Sequence, residues 1–395
     1  MRKAPYRLAV LLSHPIQYQA PLMKQLAAHP LIDLTVYYMN DLGLREREIA
    51  GYGKAIKWDV PLLDGYRYQF LRNWSWQPDN QTAWSSFNPG IATELAKHQY
   101  DALLILSYYK VTDIIALIAA RITRTPVIFR GDVLLNNELL GWKSKLKEVY
   151  LRLWCQQLAA VMPIGTLAEH FYKHFGVPER KMFRSIYAVN NEFFIGQAEV
   201  LKPQQAELKQ QLGIPPDMPV VLFVALMRAF KRPLDILKAF TKANQNAALV
   251  VVGEGPEYPN VQRYCQEDPS PNIYLVGTKN QQELSHYYAM ADIFVVPSGK
   301  GEAWCLVINE AMCFSLPIIA TDAIPAAVDL VQEGKNGFIY SVGDIEQLSE
   351  KLIQLLTNHQ LRAAMSKSSL QIIGECNYEA NAEAILQALA FATES

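Results

Sequence analysis

Short runs of β-branched and other apolar residues alternate with helix-period segments along almost the whole chain, and that alternation leaves few folds open. A strand buried on both faces reads as a continuous apolar run, and its parallel neighbour is reached only through a crossover, usually a helix. Runs of this kind occur at Leu8–Leu12, Asp33–Tyr38, Leu103–Leu106, Pro126–Arg130 and Ala160–Ile164. The second half offers Val220–Val224, Ala248–Val252, Ile273–Val276, Ile293–Val296, Pro317–Ala320 and Gly337–Tyr340. With 395 residues there is enough chain for two cores. The expectation is an α/β protein of two doubly wound domains.

Composition narrows the function classes. Lys and Arg number 37 against 38 Asp and Glu, so no global positive field would draw nucleic acid. Hydrophobic residues make up 50 %, which argues against disorder. The 5 cysteines are scattered without metal-ligand spacing, which suggests reduced thiols in a cytoplasmic protein. Arg2, Lys3 and Arg7 precede the apolar run Leu8–Leu12, but His14-Pro15 stops it too early for a spanning helix, so it reads as a first strand. Membrane contact, if any, is expected to be peripheral.

The densest chemistry lies between residues 291 and 322. Ala291–Ser298 reads as a buried strand ending in a loop, and the stretch after Trp304 reads as a helix start. Glu302 then falls in the loop, and Glu310 about two turns into the helix on roughly the same face. Carboxylates accept well from paired sugar hydroxyls, and a helix N-terminus offers free N–H groups to phosphate. Both at one strand-to-helix junction suggest a nucleotide sugar.

Glu302 and Glu310, followed by Ala311-Met312 and Leu316-Pro317, strongly resemble the E-x7-E signature of the family 4 retaining glycosyltransferases. That resemblance implies the GT-B fold, two Rossmann-like domains facing across a cleft. It is strong over residues 160–390 and looser before. It implies an N-terminal acceptor-binding domain over 1–197, a nucleotide-sugar-binding domain over 198–375, and a final helix, 376–395, packing back on the first domain. The first Glu of the pair is expected to meet the donor sugar and the second the ribose. Trp304, Cys305, Leu306 and Val307 between them are expected to line the donor. Cys305 and Ser315 stand where the family usually has glycine.

The second domain holds more of the pattern. Gly253-Glu254-Gly255-Pro256 follows a strand, where open α/β sheets bind ligands, and glycine permits close ligand approach. Gly253 and Glu254 are expected to line the donor cleft, and backbone near Gly277 to read the base. Lys231 matches the family's diphosphate-binding Lys. The earlier cation of the family is absent in register, where Leu226 stands, so Arg228 or Arg232 is the substitute; each also reads as an ordinary loop cation.

The first domain departs further. Ser13-His14-Pro15-Ile16-Gln17-Tyr18 replaces the family's glycine loop and resembles a polysaccharide-biosynthesis subgroup with a His-Pro-Ile-Gln-Tyr loop. His14, Gln17 and Tyr18 are expected at the acceptor or phosphates, although His-Pro could simply end the strand. Arg130-Gly131-Asp132 replaces the usual His-Gly: Arg130 would neutralise phosphate and Asp132 bind a sugar hydroxyl, or the two would pair as a salt bridge. Trp142–Trp154, with Lys143, Lys145, Lys147 and Arg152, reads as a basic amphipathic helix, either solvated over a core or laid on an anionic membrane. Trp74, Trp76 and Trp84 either stack on an acceptor or form a hydrophobic loop.

The resemblance implies a retaining, hexosyltransferase-type enzyme. It would move a sugar from a nucleotide-diphosphate donor to the hydroxyl of a sugar, lipid-linked sugar or small molecule, without a metal or other cofactor. The alternatives are a sugar-nucleotide epimerase, a glycogen-synthase-like enzyme of the same fold, or a degenerate nucleotide-sugar-binding module.

Overall fold

The computed structural model describes residues 4–42, 44, 47–48, 55–56, 61–78, 82–135, 142–267 and 272–394. Arg2 and Lys3, residues 79–81 of the aromatic-rich segment and the side chain of Lys143 lie outside the described residues.

Two parallel sheets organise the chain. The first contains β1 (Tyr6–Leu12), β2 (Ile32–Tyr38), β5 (Tyr68–Phe70), β6 (Ala102–Ile105), β7 (Val127–Gly131) and β8 (Ala160–Pro163). Their order across the sheet is β5-β2-β1-β6-β7-β8. A separate two-stranded ladder pairs β3 (Arg47–Glu48) with β4 (Ala55–Ile56). The second sheet contains β9 (Val220–Val224), β10 (Ala248–Val252), β11 (Ile273–Leu275), β12 (Ile293–Val296), β13 (Ile318–Thr321) and β14 (Gly337–Tyr340), in the order β11-β10-β9-β12-β13-β14. Each six-stranded sheet therefore has the doubly wound order 3-2-1-4-5-6 counted within itself. The central strands are buried along nearly their whole length, which is why the sequence shows them as unbroken apolar runs.

All eleven expected strands are present within a few residues. The sequence missed β5, whose burial pattern explains the omission: Tyr68 and Gln69 are exposed on this edge strand, so no continuous apolar run announces it.

Two compact units follow from these sheets. One takes the chain to Arg47, then Val60–Tyr187, and Tyr378 onward; the other is chiefly Ala188–Asn377. The changeover falls at Ala188 rather than after residue 197. The helix Asn191–Leu201 packs against the helices Gln281–Met290 and Leu306–Cys313 of the second unit, and Asn191 Nδ2 donates to the carbonyls of Ile373 (3.0 Å) and Cys376 (3.1 Å). The last helix, Tyr378–Glu394, lies on the first unit. There Asn381 Oδ1 accepts from Ser185 Oγ at 2.5 Å, and Phe391 meets Phe183 with ring centroids 5.5 Å apart.

Candidate functional site

In the second unit the strand order reverses between β9 and β12, so the loops leaving them diverge and open a crevice at their carboxyl ends. The loop after β9 turns through a short 3-10 helix, Ala229–Lys231, and the loop after β12 runs through Gly299 to Cys305. Gly299 N–H donates to the Phe230 carbonyl at 2.7 Å and pins the two loops together. Gly301, at φ +113, lets the second loop bend across the Phe230 ring. This geometry brings Lys231 and Glu302 together as a direct, hydrogen-bonded ion pair, with both side chains mostly buried. The Lys231 ammonium also lies 5.4 Å from the Phe230 ring centroid.

The helix after this loop begins at Leu306, because Cys305 occupies the left-handed region at φ 87. Glu310 is consequently its fifth residue, nearer one turn in than two. The Tyr288 hydroxyl donates to Glu310 Oε2 at 2.7 Å, and Phe314 stacks on the Tyr288 ring at 5.4 Å. Burial pushes the Glu310 carboxyl up to about 7, and the Tyr288 hydrogen bond draws it back in part. Leu306 and Val307 stand at the helix N-terminus, whose first amides lack intrahelical acceptors. Trp304 is turned inward: it is buried, and its Nε1 donates to Asn309 Oδ1 at 3.0 Å. The two positions where family glycines are replaced, Cys305 (φ 87) and Ser315 (φ 55), are both left-handed.

The glycine turn after β10 has a role beyond ligand approach. A Cβ on Gly253 would stand 2.0 Å from the Ala225 carbonyl oxygen, and one on Gly255 2.7 Å from that of Met227. These glycines let the β10 loop pack backbone to backbone on the β9 loop, with Met227 N–H donating to the Glu254 carbonyl at 2.9 Å. Gly253 N–H donates to the Gly277 carbonyl at 2.9 Å, so Gly277 and Glu254 join the same loop cluster. The Glu254 carboxylate accepts from Thr278 Oγ1 at 3.4 Å. Of the two substitute arginines, Arg232 is engaged locally: its Nε donates to Asp235 Oδ2 at 2.6 Å. Arg228 caps the 3-10 turn that carries Lys231, and its carbonyl accepts from Lys231 N–H at 2.9 Å.

The first unit repeats the architecture, with its reversal between β1 and β6. His14 follows β1, and its Nδ1 pairs with Ser13 Oγ at 2.9 Å. Burial first, and then the Lys110 charge, pull His14 down to about 4, so it is neutral near pH 7. Gln17 is half-buried in the same loop. Tyr18 packs edge-on against Tyr187 at 5.3 Å, its hydroxyl is pushed up to about 12 by burial, and its carbonyl accepts from the Tyr378 hydroxyl at 3.1 Å.

Arg130 is buried and serves as an internal tie. Its Nε donates to Ser185 Oγ at 2.9 Å, its Nη2 to the Ser185 carbonyl at 3.4 Å and its Nη1 to Gln19 Oε1 at 3.5 Å, with the guanidinium 5.0 Å from the Tyr187 ring centroid. Burial raises the Asp132 carboxyl, and the nearby Arg130 charge opposes that rise.

Sequence reasoning missed three partners. Tyr288 carries no motif. Lys110 Nζ donates to Ser85 Oγ at 2.7 Å and to the Thr82 carbonyl at 2.9 Å, contacts that no local pattern reveals. Asp113 accepts from Lys110 N–H at 2.9 Å, and with a lysine at the N-cap the sequence carries no capping signature there. Among the aromatics, Trp74, Trp76 and Trp84 are exposed, and Arg72 lies over the Trp74 ring at 4.2 Å. A cavity of about 490 Å³ lined by Asn40, Asp41, Phe70 and Asn73 lies in the same unit.

Residues 204–372 match the family model described as "Glycosyl transferases group 1". Sulfoquinovosyl transferase SQD2 of Arabidopsis thaliana is 33 % identical over 156 residues, which is 39 % of this chain and 30 % of that protein. N-acetyl-alpha-D-glucosaminyl L-malate synthase of Bacillus anthracis is 27 % identical over 185 residues, 46 % of this chain and 48 % of that protein. The chain thus spans half or less of the length of these two relatives. The solved structure of Anabaena Alr3699/HepE in complex with UDP superposes with a TM-score of 0.73 at 17 % identity, covering 98 % of this chain and 99 % of that one. Residues 204–372 are therefore similar to group 1 glycosyltransferase domains, and the fold of the chain is shared with the Anabaena Alr3699/HepE structure.

Proposed function

We propose that the chain is a retaining glycosyltransferase that moves a sugar from a nucleotide-diphosphate donor to a hydroxyl acceptor in polysaccharide or glycoconjugate synthesis. The observation that carries this reading is the Lys231–Glu302 pair at the β9/β12 reversal, with Glu310 on the helix that follows. In this reading Glu310 accepts from the ribose hydroxyls, as it accepts from Tyr288 in the free protein. Lys231, aided by the amides of Leu306 and Val307, holds the diphosphate. Glu302, one side chain away from Lys231, orients the sugar across the bond that breaks.

The acceptor hydroxyl attacks the anomeric carbon on the face from which the diphosphate leaves. The carbon–oxygen bond to the β-phosphate breaks with its electron pair on the phosphate oxygen, and that oxygen takes the acceptor proton. Lys231 stabilises the charge gathering there. The remaining work is positioning. The reaction runs without a resident metal, so a chelator is expected to leave turnover unchanged.

The test is a panel of nucleotide sugars, beginning with UDP-sugars because the Anabaena neighbour was solved with UDP. Thermal stabilisation and release of nucleoside diphosphate are read together. Stabilisation with acceptor-dependent release supports the reading. Stabilisation without any release indicates a binding module, and an isomerised nucleotide sugar as product indicates an epimerase.

A further inference from the structure

Two helices of the first unit carry apolar side chains that the fold leaves uncovered. Val111–Thr123 links β6 to β7, and Trp142–Gln156 links β7 to β8. Both cover the same face of the sheet: Ala116, Ala119 and Ala120 from one, and Leu151, Trp154 and Cys155 from the other, share one core with Leu103, Ile105 and Phe129. Their far ends are joined where Arg121 Nη1 donates to Gln157 Oε1 at 2.5 Å.

The outward faces of these helices are not polar. Ile114, Ile118 and Ile122 recur every fourth residue on the first, and Leu146, Val149 and Leu153 form an i, i+3, i+7 stripe on the second. All six are between 40 % and 78 % exposed. Scattered exposed leucines are ordinary, whereas aligned stripes on neighbouring helices mark a contact surface. Beside them on the exposed surface stand Arg121, Arg124, Lys145 and Arg152, with Glu148 within 3.7 Å of Arg152.

We infer that this two-helix face docks on an anionic lipid bilayer. Apolar stripes flanked by cations suit the headgroup boundary: the isoleucines and leucines enter the acyl edge, and the long basic side chains reach the lipid phosphates. A second copy of the chain fits less well, because a two-fold interface would set the same cations against one another. Among the described residues no helix is long and apolar enough to cross a membrane, so this contact is peripheral.

Flotation with vesicles tests it, using phosphatidylglycerol–phosphatidylcholine vesicles against phosphatidylcholine alone. The wild-type chain is expected to float with the anionic vesicles and to be released by high salt. Ile118→Ser with Leu146→Ser and Leu153→Ser should weaken partitioning at least tenfold. Lys145→Glu with Arg152→Glu should do the same, since each cation near such a surface strengthens binding about fivefold. Thermal melts check that both variants fold, and nucleotide release on a soluble acceptor should be unchanged in both. Failure of the wild type to bind anionic vesicles overturns the inference, as does binding that both folded variants retain. Light scattering that shows dimers dissolved by the serine substitutions assigns the face to a second copy instead.

Discussion

Residues 302, 305, 310 and 315 show how one motif mixes chemistry with backbone geometry. Glu302 and Glu310 were visible as a pair in the sequence, but their partners were not. Lys231 comes from a loop 71 residues away, and Tyr288 from the helix before β12. Cys305 and Ser315 looked like chemical departures from the family pattern. Both sit at positive φ, so the glycines usual there answer a backbone need. A side chain in that region costs about 1–2 kcal/mol. With the extra freedom of the unfolded glycine subtracted, Ser315→Gly is therefore expected to stabilise the protein by about 0.5–1 kcal/mol, read in urea melts.

Glu310 links the site to pH. Its folded carboxyl titrates near 7 against an ordinary 4.5. Folding favours its protonated form, so its stabilising contribution is full below about 4.5 and is lost as pH rises through about 7. Nucleotide binding should run the other way, because the ribose needs the carboxylate as acceptor. Affinity for the nucleoside diphosphate is expected to rise between pH 6 and pH 8 in the wild type and to stay flat in Glu310→Gln. The same substitution should weaken donor binding by about tenfold or more, the value of a charge-assisted hydrogen bond. Isothermal titration across pH reads both effects, and a pH-dependent Gln variant would place the titrating group elsewhere.

At the scale of elements, the strands were legible because burial on both sheet faces writes a continuous apolar run into the sequence. The edge strand β5 was not, since Tyr68 and Gln69 face solvent. The partners of Arg130 were hidden for a related reason: a strand-end arginine shows no sign in the sequence of the distant groups that meet it. In the fold its neighbours are Ser185, Gln19 and the Tyr187 ring. Ser185 in turn donates to Asn381 of the last helix, so a chain of hydrogen bonds ties β7 to that helix. Asn381→Ala should destabilise the first unit by about 1–3 kcal/mol, because the buried Ser185 O–H loses its acceptor while its oxygen still accepts from Arg130. Circular dichroism melts would check this, and no loss of stability would mean that the relay carries no weight.

For the whole molecule, the second unit is an insertion in the sequence of the first: the chain leaves at Tyr187 and returns at Tyr378. The returning helix buries Ile385, Ala388 and Leu389 in the first unit. The two sheets share strand order, yet they carry different residues at their reversals. The second holds Glu302, Glu310 and Lys231, whereas in the first His14, Tyr18 and Arg130 are engaged in its own packing. The proposed division of labour within the second unit separates the two ends of one donor.

Glu302→Ala distinguishes those ends. Affinity for the bare nucleoside diphosphate and turnover of the full nucleotide sugar are measured in wild type and variant. Removing the carboxylate beside Lys231 leaves the nucleotide held and the sugar misplaced, and a misplacement of about 1 Å costs about a hundredfold in rate. The expected result is a loss of turnover of about that size with diphosphate affinity changed by less than about threefold. Equal losses for both ligands would contradict the assignment and place Glu302 at the nucleotide or in the fold.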